Sequence, residues 1–250
     1  GHNGGIVGVA PNAELYIAKV FGDSGYTDYA TVTEAVAYCN EIGADVINMS
    51  IGGGDAFPPL VEEIYKAIDQ GTVVVVAAGN MGRGGDYDPK NPPKQPKDNV
   101  TFPGNIPEVL TVSASDIFNH FAEFSSEGPT VDIMAPGTVW FRWKSAFYYE
   151  SQGIYSSVAG EASLDQNHYT GDNDELDGTR RFGRMSGTSM AAPHVAGAAA
   201  LLKSTNSTAT AKEIIDILKR SAVTISNLPE TRQGAGILDI QRAHEFIKNL

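Results

Sequence analysis

Residues 185 to 202 read MSGTSMAAPHVAGAAALL, a glycine-bounded serine followed by a long run of small apolar residues. From Met190 to Leu202 the composition predicts a helix that is buried on all sides. Ser189 then lies at the amino end of this helix, where free amides and the helix dipole favour an anion. We expect Pro193 in the first turn, where its missing amide costs little. A serine hydroxyl becomes nucleophilic only beside a base, so the pattern predicts a reactive serine that needs one.

The rest of the chain alternates between strand and helix patterns. Residues 26–43 and 58–71 carry apolar residues at helical spacing, and the capping box of Thr210 and Glu213 begins a later helix. Residues 239–250 predict a terminal amphipathic helix. Strands are predicted at 13–21, 44–50, 72–80 and 109–116. This alternation predicts an α/β fold with a parallel sheet covered on both faces, in which ligands bind at the carboxyl ends of the strands.

The composition indicates one domain, residues 1–250. A net charge of -12 disfavours nucleic acid and anionic membranes as partners. No apolar stretch reaches the 18 residues that a membrane span needs, so no span is expected in this chain. The single cysteine, Cys39, cannot form an internal disulfide and reads as a packed side chain.

Several motifs resemble those of the subtilisin-like serine proteases, and they occur in that family's order. They are GGIVGVAPNAELYIAKV, ADVINMSIGG, VVVVAAGN, FPGNIPEVLTVSASD, FSSEGPTVDIMAPG and GTSMAAPHVAG. The resemblance implies a doubly wound parallel sheet flanked by helices and a serine endopeptidase acting by acyl transfer. It also implies insertions relative to the family at about 83–99 and 138–184. It implies that Ser189 is the nucleophile. It also implies that Asn80 donates to the oxyanion together with the backbone amide of Ser189.

The same resemblance assigns residues that bind the substrate. An extended edge that pairs with a peptide backbone is implied for Ser50, Ile51 and Gly52. A wall of the primary specificity pocket is implied for Ala77, Ala78 and Gly79. The Phe102-Pro103 bond corresponds to a position where the family often has a cis peptide. The expected substrate is therefore an extended segment of a peptide or protein.

None of the histidines is expected to act as the base. His194 follows Ser189 on the same helix, about 140° around the axis, so its ring should point away from the hydroxyl. His120 and His244 are predicted on a loop and on the terminal helix, where a solvated ring is the simpler role. His168 stays a remote candidate, and His2 precedes a segment that in the family follows the catalytic histidine. Asp45 and Asp132 match scaffold positions, and the family's catalytic aspartate strand is absent.

We therefore expect the catalytic aspartate and histidine upstream of residue 1, in a segment that packs on this core. The 250-residue chain alone is expected to be inactive. The chemistry requires no cofactor, although structural calcium is a possibility, with Asp172, Asp174 and Asp177 as candidate ligands in an otherwise solvated acidic loop. The family resemblance implies an extracellular location.

Two alternatives remain open. A non-catalytic relative keeps the fold as a binding module, since one fold hosts many functions. Alternatively, residues 187–191 form the nucleophile turn of an α/β-hydrolase, with Asp216 and His244 following in the required order. This second reading leaves the other matched motifs unexplained.

Overall fold

The computed structural model describes residues 6–22, 25–82, 98–138, 153–157 and 182–250. The helices are α1 (Tyr29–Glu41), α2 (Pro58–Asp69), α3 (Thr188–Thr205), α4 (Ala211–Ser221), α5 (Glu230–Gln233) and α6 (Ile240–Ile247). The strands are β1 (Val46–Met49), β2 (Val73–Ala77), β3 (Leu110–Ser115), β4 (Ile133–Pro136), β5 (Ile154–Ser157) and β6 (Phe182–Met185). The two predicted insertions lie mostly outside the described residues.

Strands β1 to β4 form one parallel sheet in the order β1-β2-β3-β4. The apolar run of β2 serves both faces of this sheet. Val73, Val75 and Ala77 pack in one cluster with α3, α4 and α6, whereas Val74 and Val76 pack in another with α1 and α2. Helices therefore cover both faces, and the predicted doubly wound α/β fold is confirmed.

Helix α3 is the central helix of one layer, and residues along its length are buried, including Ala191, Val195 and Leu202. The expectation for Pro193 is wrong, because α3 begins at Thr188 and Pro193 lies inside it. In an α-helix the amide of residue 193 would donate to the carbonyl of residue 189. Proline has no amide hydrogen, so Ser189 O lacks its α-helical donor.

The predicted strand at residues 13–21 is also wrong. Over this range the chain is extended, and Leu15 and Ile17 expose 78% and 74% of their surface. Among the described residues, residues 13–21 take part in a single hydrogen bond between backbone groups, from Ala13 N to Ala10 O. A β-strand needs a neighbouring strand that bonds to its amides and carbonyls. The pattern of side chains in the sequence does not indicate whether such a strand is present. The outer edge of β1 is likewise unpaired in the described sheet.

The structure adds an antiparallel pair of strands outside the parallel sheet. Strand β5 pairs with β6, and Ile154 lies opposite Met185. This pairing brings residue 154 beside the chain that leads into α3. At the other end of the chain, the predicted capping box is confirmed, since Glu213 N donates to Thr210 Oγ1 and Thr210 N donates to Glu213 Oε2. The Thr210 amide and the Thr210 hydroxyl both donate to Glu213 Oε2, and these two bonds hold the pKa of the Glu213 carboxyl below its usual value.

Candidate active site

Three segments of the chain meet at the carboxyl edge of the parallel sheet. Strand β1 ends at Met49, strand β2 ends at Ala77, and helix α3 begins at Thr188 and packs against both strands. Because parallel strands end at the same edge, the residues that follow β1 and β2 lie close together there. This topology brings Ser50 and Asn80 to the amino end of α3.

Two donors fix the orientation of the Asn80 side chain. The Thr188 amide donates to Asn80 Oδ1 at 2.9 Å, and the Thr188 hydroxyl donates to the same oxygen at 3.0 Å. Since both donors need the oxygen, Asn80 Nδ2 faces the other way, with its two hydrogens directed outward. A Cβ placed on Gly187 would lie 3.5 Å from Asn80 Nδ2 and 3.6 Å from Ser189 N. Asn80 Nδ2 and Ser189 N therefore lie near each other, around the position that a side chain of residue 187 would occupy, with Met190 Sδ at 3.7 Å as the third neighbour.

Ser189 is the second residue of α3 and is half-buried. Its hydroxyl donates to Ser50 O at 3.1 Å, and in the opposite direction the Ser50 hydroxyl donates to Ser189 O at 2.7 Å. A further bond joins Asn48 Nδ2 to Ser50 Oγ at 3.0 Å. A carbonyl oxygen binds the Ser189 proton without removing it, so this arrangement positions the hydroxyl but does not activate it.

No histidine ring is hydrogen-bonded to Ser189 within the part of the chain that the structure describes. The His194 ring donates through Nδ1 to Met190 O at 2.8 Å, within its own helix. His120 bonds to Asp116, and its side chain is 76% exposed. His244 lies on α6 and Asp216 on α4. Within the described ranges no hydrogen bond joins these two residues, as the α/β-hydrolase alternative would require. His2 and His168 lie outside the described residues.

Asp45 and Asp132, matched earlier to scaffold positions, lie in ion pairs away from Ser189. Asp132 accepts from the Thr111 amide and from Lys219 Nζ, and Asp45 lies 3.8 Å from Lys203 Nζ. Both carboxylates therefore join neighbouring elements of the scaffold.

The predicted substrate edge begins directly after β1. Ser50 and Ile51 are half-buried, and Gly52 is exposed. A Cβ on Gly52 would lie 2.5 Å from Thr101 Oγ1, so the close approach of that segment requires a glycine. The neighbouring Phe102-Pro103 bond is cis, as expected from the resemblance.

The predicted pocket wall follows β2. Ala77 and Ala78 are buried as whole residues, with exposed fractions of 2% and 0%. Gly79 has a φ of +103°, and a Cβ there would also lie 2.5 Å from Thr101 Oγ1. The assignment of these residues to a specificity pocket stays a prediction.

Two residues of this network were missed at the level of sequence. Thr188 is fully buried and forms three hydrogen bonds that join α3 to the end of β2. Asn48 is a polar residue in the otherwise apolar VINM strand, and this break in the pattern was the available indication. Thr188 acts through contacts that are distant along the chain, whereas Asn48 acts through Ser50, which is two residues away.

Replacing Thr188 by valine should lower the free energy of unfolding by about 1 to 2 kcal/mol. Valine keeps the shape, but it removes the hydroxyl that accepts from Gly79 N at 3.2 Å and donates to Asn80. Urea denaturation of the 250-residue chain measures the loss, and Thr188→Ser, which keeps the hydroxyl, is the matched control. Equal stability of the valine variant and the parent would contradict the role given to this hydroxyl.

The described residues contain no group of three or more His, Cys, Asp or Glu side chains arranged to hold a metal ion. The candidate calcium ligands Asp172, Asp174 and Asp177 lie outside the described residues, so that site stays a prediction. None of the described helices is long and apolar enough to cross a membrane.

Comparison with known proteins gives a consistent family. Residues 1–240 match the Subtilase family. Subtilisin DY of Bacillus licheniformis is 32% identical over 239 residues, which cover 96% of this chain and 71% of the relative. Subtilisin E of Bacillus subtilis (strain 168) is 33% identical over 239 residues, and the chain covers 51% of its length. The Major intracellular serine protease of the same strain is 32% identical over 203 residues, which cover 81% of this chain and 50% of the relative.

Solved structures agree with these matches. A protease from Pseudoalteromonas arctica PAMC 21717 has 30% identity and a TM-score of 0.75, with 97% of this chain and 66% of that chain covered. Fervidolysin from Fervidobacterium pennivorans, a keratinolytic enzyme related to subtilisin, has 28% identity and a TM-score of 0.74, with 96% of this chain and 33% of that chain covered. The fold described above is therefore similar to that of subtilisin-like proteases.

Proposed function

Because this chain belongs to the subtilase family, we propose that it carries the nucleophile and the oxyanion donors of a serine endopeptidase. Ser189 is the nucleophile, and Asn80 Nδ2 and the Ser189 amide are the oxyanion donors. The observation that carries the proposal is the position of Asn80 Nδ2 and Ser189 N, which lie 3.5 Å and 3.6 Å from the point that a Cβ of residue 187 would occupy. Preorganised donors of this kind stabilise a negative charge that develops only in the transition state.

The proposed reaction is acyl transfer from a peptide to Ser189. The Ser189 oxygen forms a bond to the scissile carbonyl carbon while a base accepts the hydroxyl proton. The carbonyl oxygen becomes an oxyanion held by the two donors, and the C–N bond then breaks as the base gives its proton to the leaving amine. Water attacks the resulting ester by the same path and releases the acid.

The base and its carboxylate are proposed to come from an upstream segment of the same domain. Two observations support this step. The Ser189 hydroxyl donates to a carbonyl rather than to a base. In addition, Leu15 and Ile17 are exposed apolar residues, and the outer edge of strand β1 is unpaired in the described sheet. Such a surface favours the docking of further polypeptide, because burying it removes apolar area from water.

The proposed substrate is an extended peptide or protein segment. Residues 50–52 follow directly after β1, and their backbone is not part of the sheet. This segment is therefore suited to pairing with the backbone of a substrate. An extracellular location is kept as a proposal, because relatives of this family include intracellular serine proteases. Family membership is therefore compatible with either compartment.

Acyl-enzyme formation tests this function directly. A longer protein that includes the upstream segment should release a stoichiometric burst of nitrophenol from an activated ester, followed by slower turnover. Mass spectrometry should find the acyl group on Ser189, and Ser189→Ala should show no burst. A folded longer protein that neither acylates nor cleaves peptides would favour the alternative, a non-catalytic binding module with the same fold.

A further inference from the structure

The hydroxyl of Ser50 bonds to the backbone of the proposed nucleophile, at a carbonyl in the first turn of α3 whose α-helical donor is missing. Pro193 lies four residues after Ser189 and has no amide hydrogen, so it cannot donate to Ser189 O. The Ser50 hydroxyl donates to this oxygen at 2.7 Å from a segment 139 residues away in the chain. The side chain therefore supplies the donor that the helix itself lacks.

A third group fixes the direction of the Ser50 hydroxyl. Asn48 Nδ2 donates to Ser50 Oγ at 3.0 Å, so that oxygen accepts one bond and directs its own hydrogen to Ser189 O. The Ser189 hydroxyl, in turn, donates to the backbone carbonyl of Ser50. Two bonds of opposite direction thus join Ser50 and Ser189.

We propose that the Ser50 side chain is a positioning residue that replaces the backbone donor lost at Pro193 and so fixes Ser189 against the end of β1. Its oxygen and its hydrogen are both engaged, so it does not take part in proton transfer. The Ser50 carbonyl, which is proposed to pair with substrate, belongs to the backbone and remains when the side chain is shortened. The consequence for turnover rests on the proposed function, whereas the consequence for stability does not.

A double-mutant cycle between Ser50 and Pro193 tests the proposal in the 250-residue chain. Ser50→Ala should lower the folding equilibrium constant about tenfold, because Ser189 O then has no donor. In the Pro193→Ala background the new amide donates to Ser189 O, so the same change should cost about twofold or less. Effects of proline on the unfolded chain cancel in the cycle, because they occur in both Pro193→Ala proteins.

Ser204→Ala is the matched control. The Ser204 hydroxyl also donates to a carbonyl of α3, that of Leu201, but it lies about 16 Å along the helix from Pro193. Its effect should be the same with and without Pro193→Ala. Additive effects of Ser50→Ala and Pro193→Ala would overturn the proposal. Should Ser50→Ala alone not fold, folding of the double variant counts as rescue, and its failure to fold counts against the proposal.

Kinetics of the longer protein separate positioning from a purely structural role. Ser50→Ala should lower kcat about tenfold and leave KM within about twofold, since the substrate-pairing carbonyl is retained. Pro193→Ala should restore most of that loss in the double variant. A loss of kcat without rescue would overturn the positioning role. If the parent shows no turnover, the proposed function has failed, and the stability cycle still decides whether Ser50 replaces the missing donor.

Discussion

The 250-residue chain alone should hydrolyse peptides about six orders of magnitude more slowly than a longer protein that carries an upstream aspartate and histidine. The size of this effect is taken from removal of the base in a subtilisin and is not calculated from this structure. The physical reason is that the Ser189 hydroxyl donates a hydrogen bond to Ser50 O. This carbonyl oxygen is not a base and does not remove the hydroxyl proton. Its oxyanion donors alone leave only a small residual rate.

Adding the upstream segment, either fused to the chain or as a separate polypeptide, should restore hydrolysis. The control is the same addition to Ser189→Ala, which should stay inactive. Rates with a chromogenic peptide measure the difference. Efficient turnover by the 250-residue chain alone would contradict the account, and it would point to His2 or His168 as a base.

Asn80→Ala in the longer protein should lower kcat by about two to three orders of magnitude and leave KM nearly unchanged. The magnitude is that of losing one oxyanion-hole donor in a subtilisin. The structural reason is that Thr188 holds Asn80 Oδ1 through two bonds, which directs Nδ2 toward the space beside Gly187. A donor used mainly in the transition state contributes to kcat rather than to substrate binding.

Steady-state kinetics on one peptide substrate measure this loss. Asn80→Asp is the informative control, because it keeps the acceptor for Thr188 but replaces the donating amide by a carboxylate that repels the oxyanion. It should lose at least as much kcat as Asn80→Ala while its unfolding free energy stays closer to that of the parent. Unchanged kcat in Asn80→Ala would remove this residue from the mechanism.

Features that depend on local pattern could be predicted from the sequence. The apolar run of β2 indicated a strand with both faces buried, and its alternate valines pack in two separate clusters. The capping box of Thr210 and Glu213 was readable because the two residues are three apart and each side chain accepts a bond from the backbone amide of the other. The amino-terminal position of Ser189 on α3 followed from the composition of the helix.

Features that depend on distant partners could not be predicted in this way. Residues 13–21 have the side-chain pattern of a strand but no partner among the described residues. The position of Pro193 depended on where α3 begins, and the structure extends the helix to Thr188. The bond from Ser50 to Ser189 spans 139 residues, and no local rule relates those two positions.

Labelling with a fluorophosphonate tests directly whether Ser189 is the nucleophile of a protease that an upstream base completes. The probe forms a bond to an activated serine oxygen and releases fluoride, so peptide mapping identifies the residue that reacted. We expect stoichiometric labelling of Ser189 in the longer protein and little labelling in the 250-residue chain. Absence of label on Ser189 in a folded longer protein would contradict this expectation.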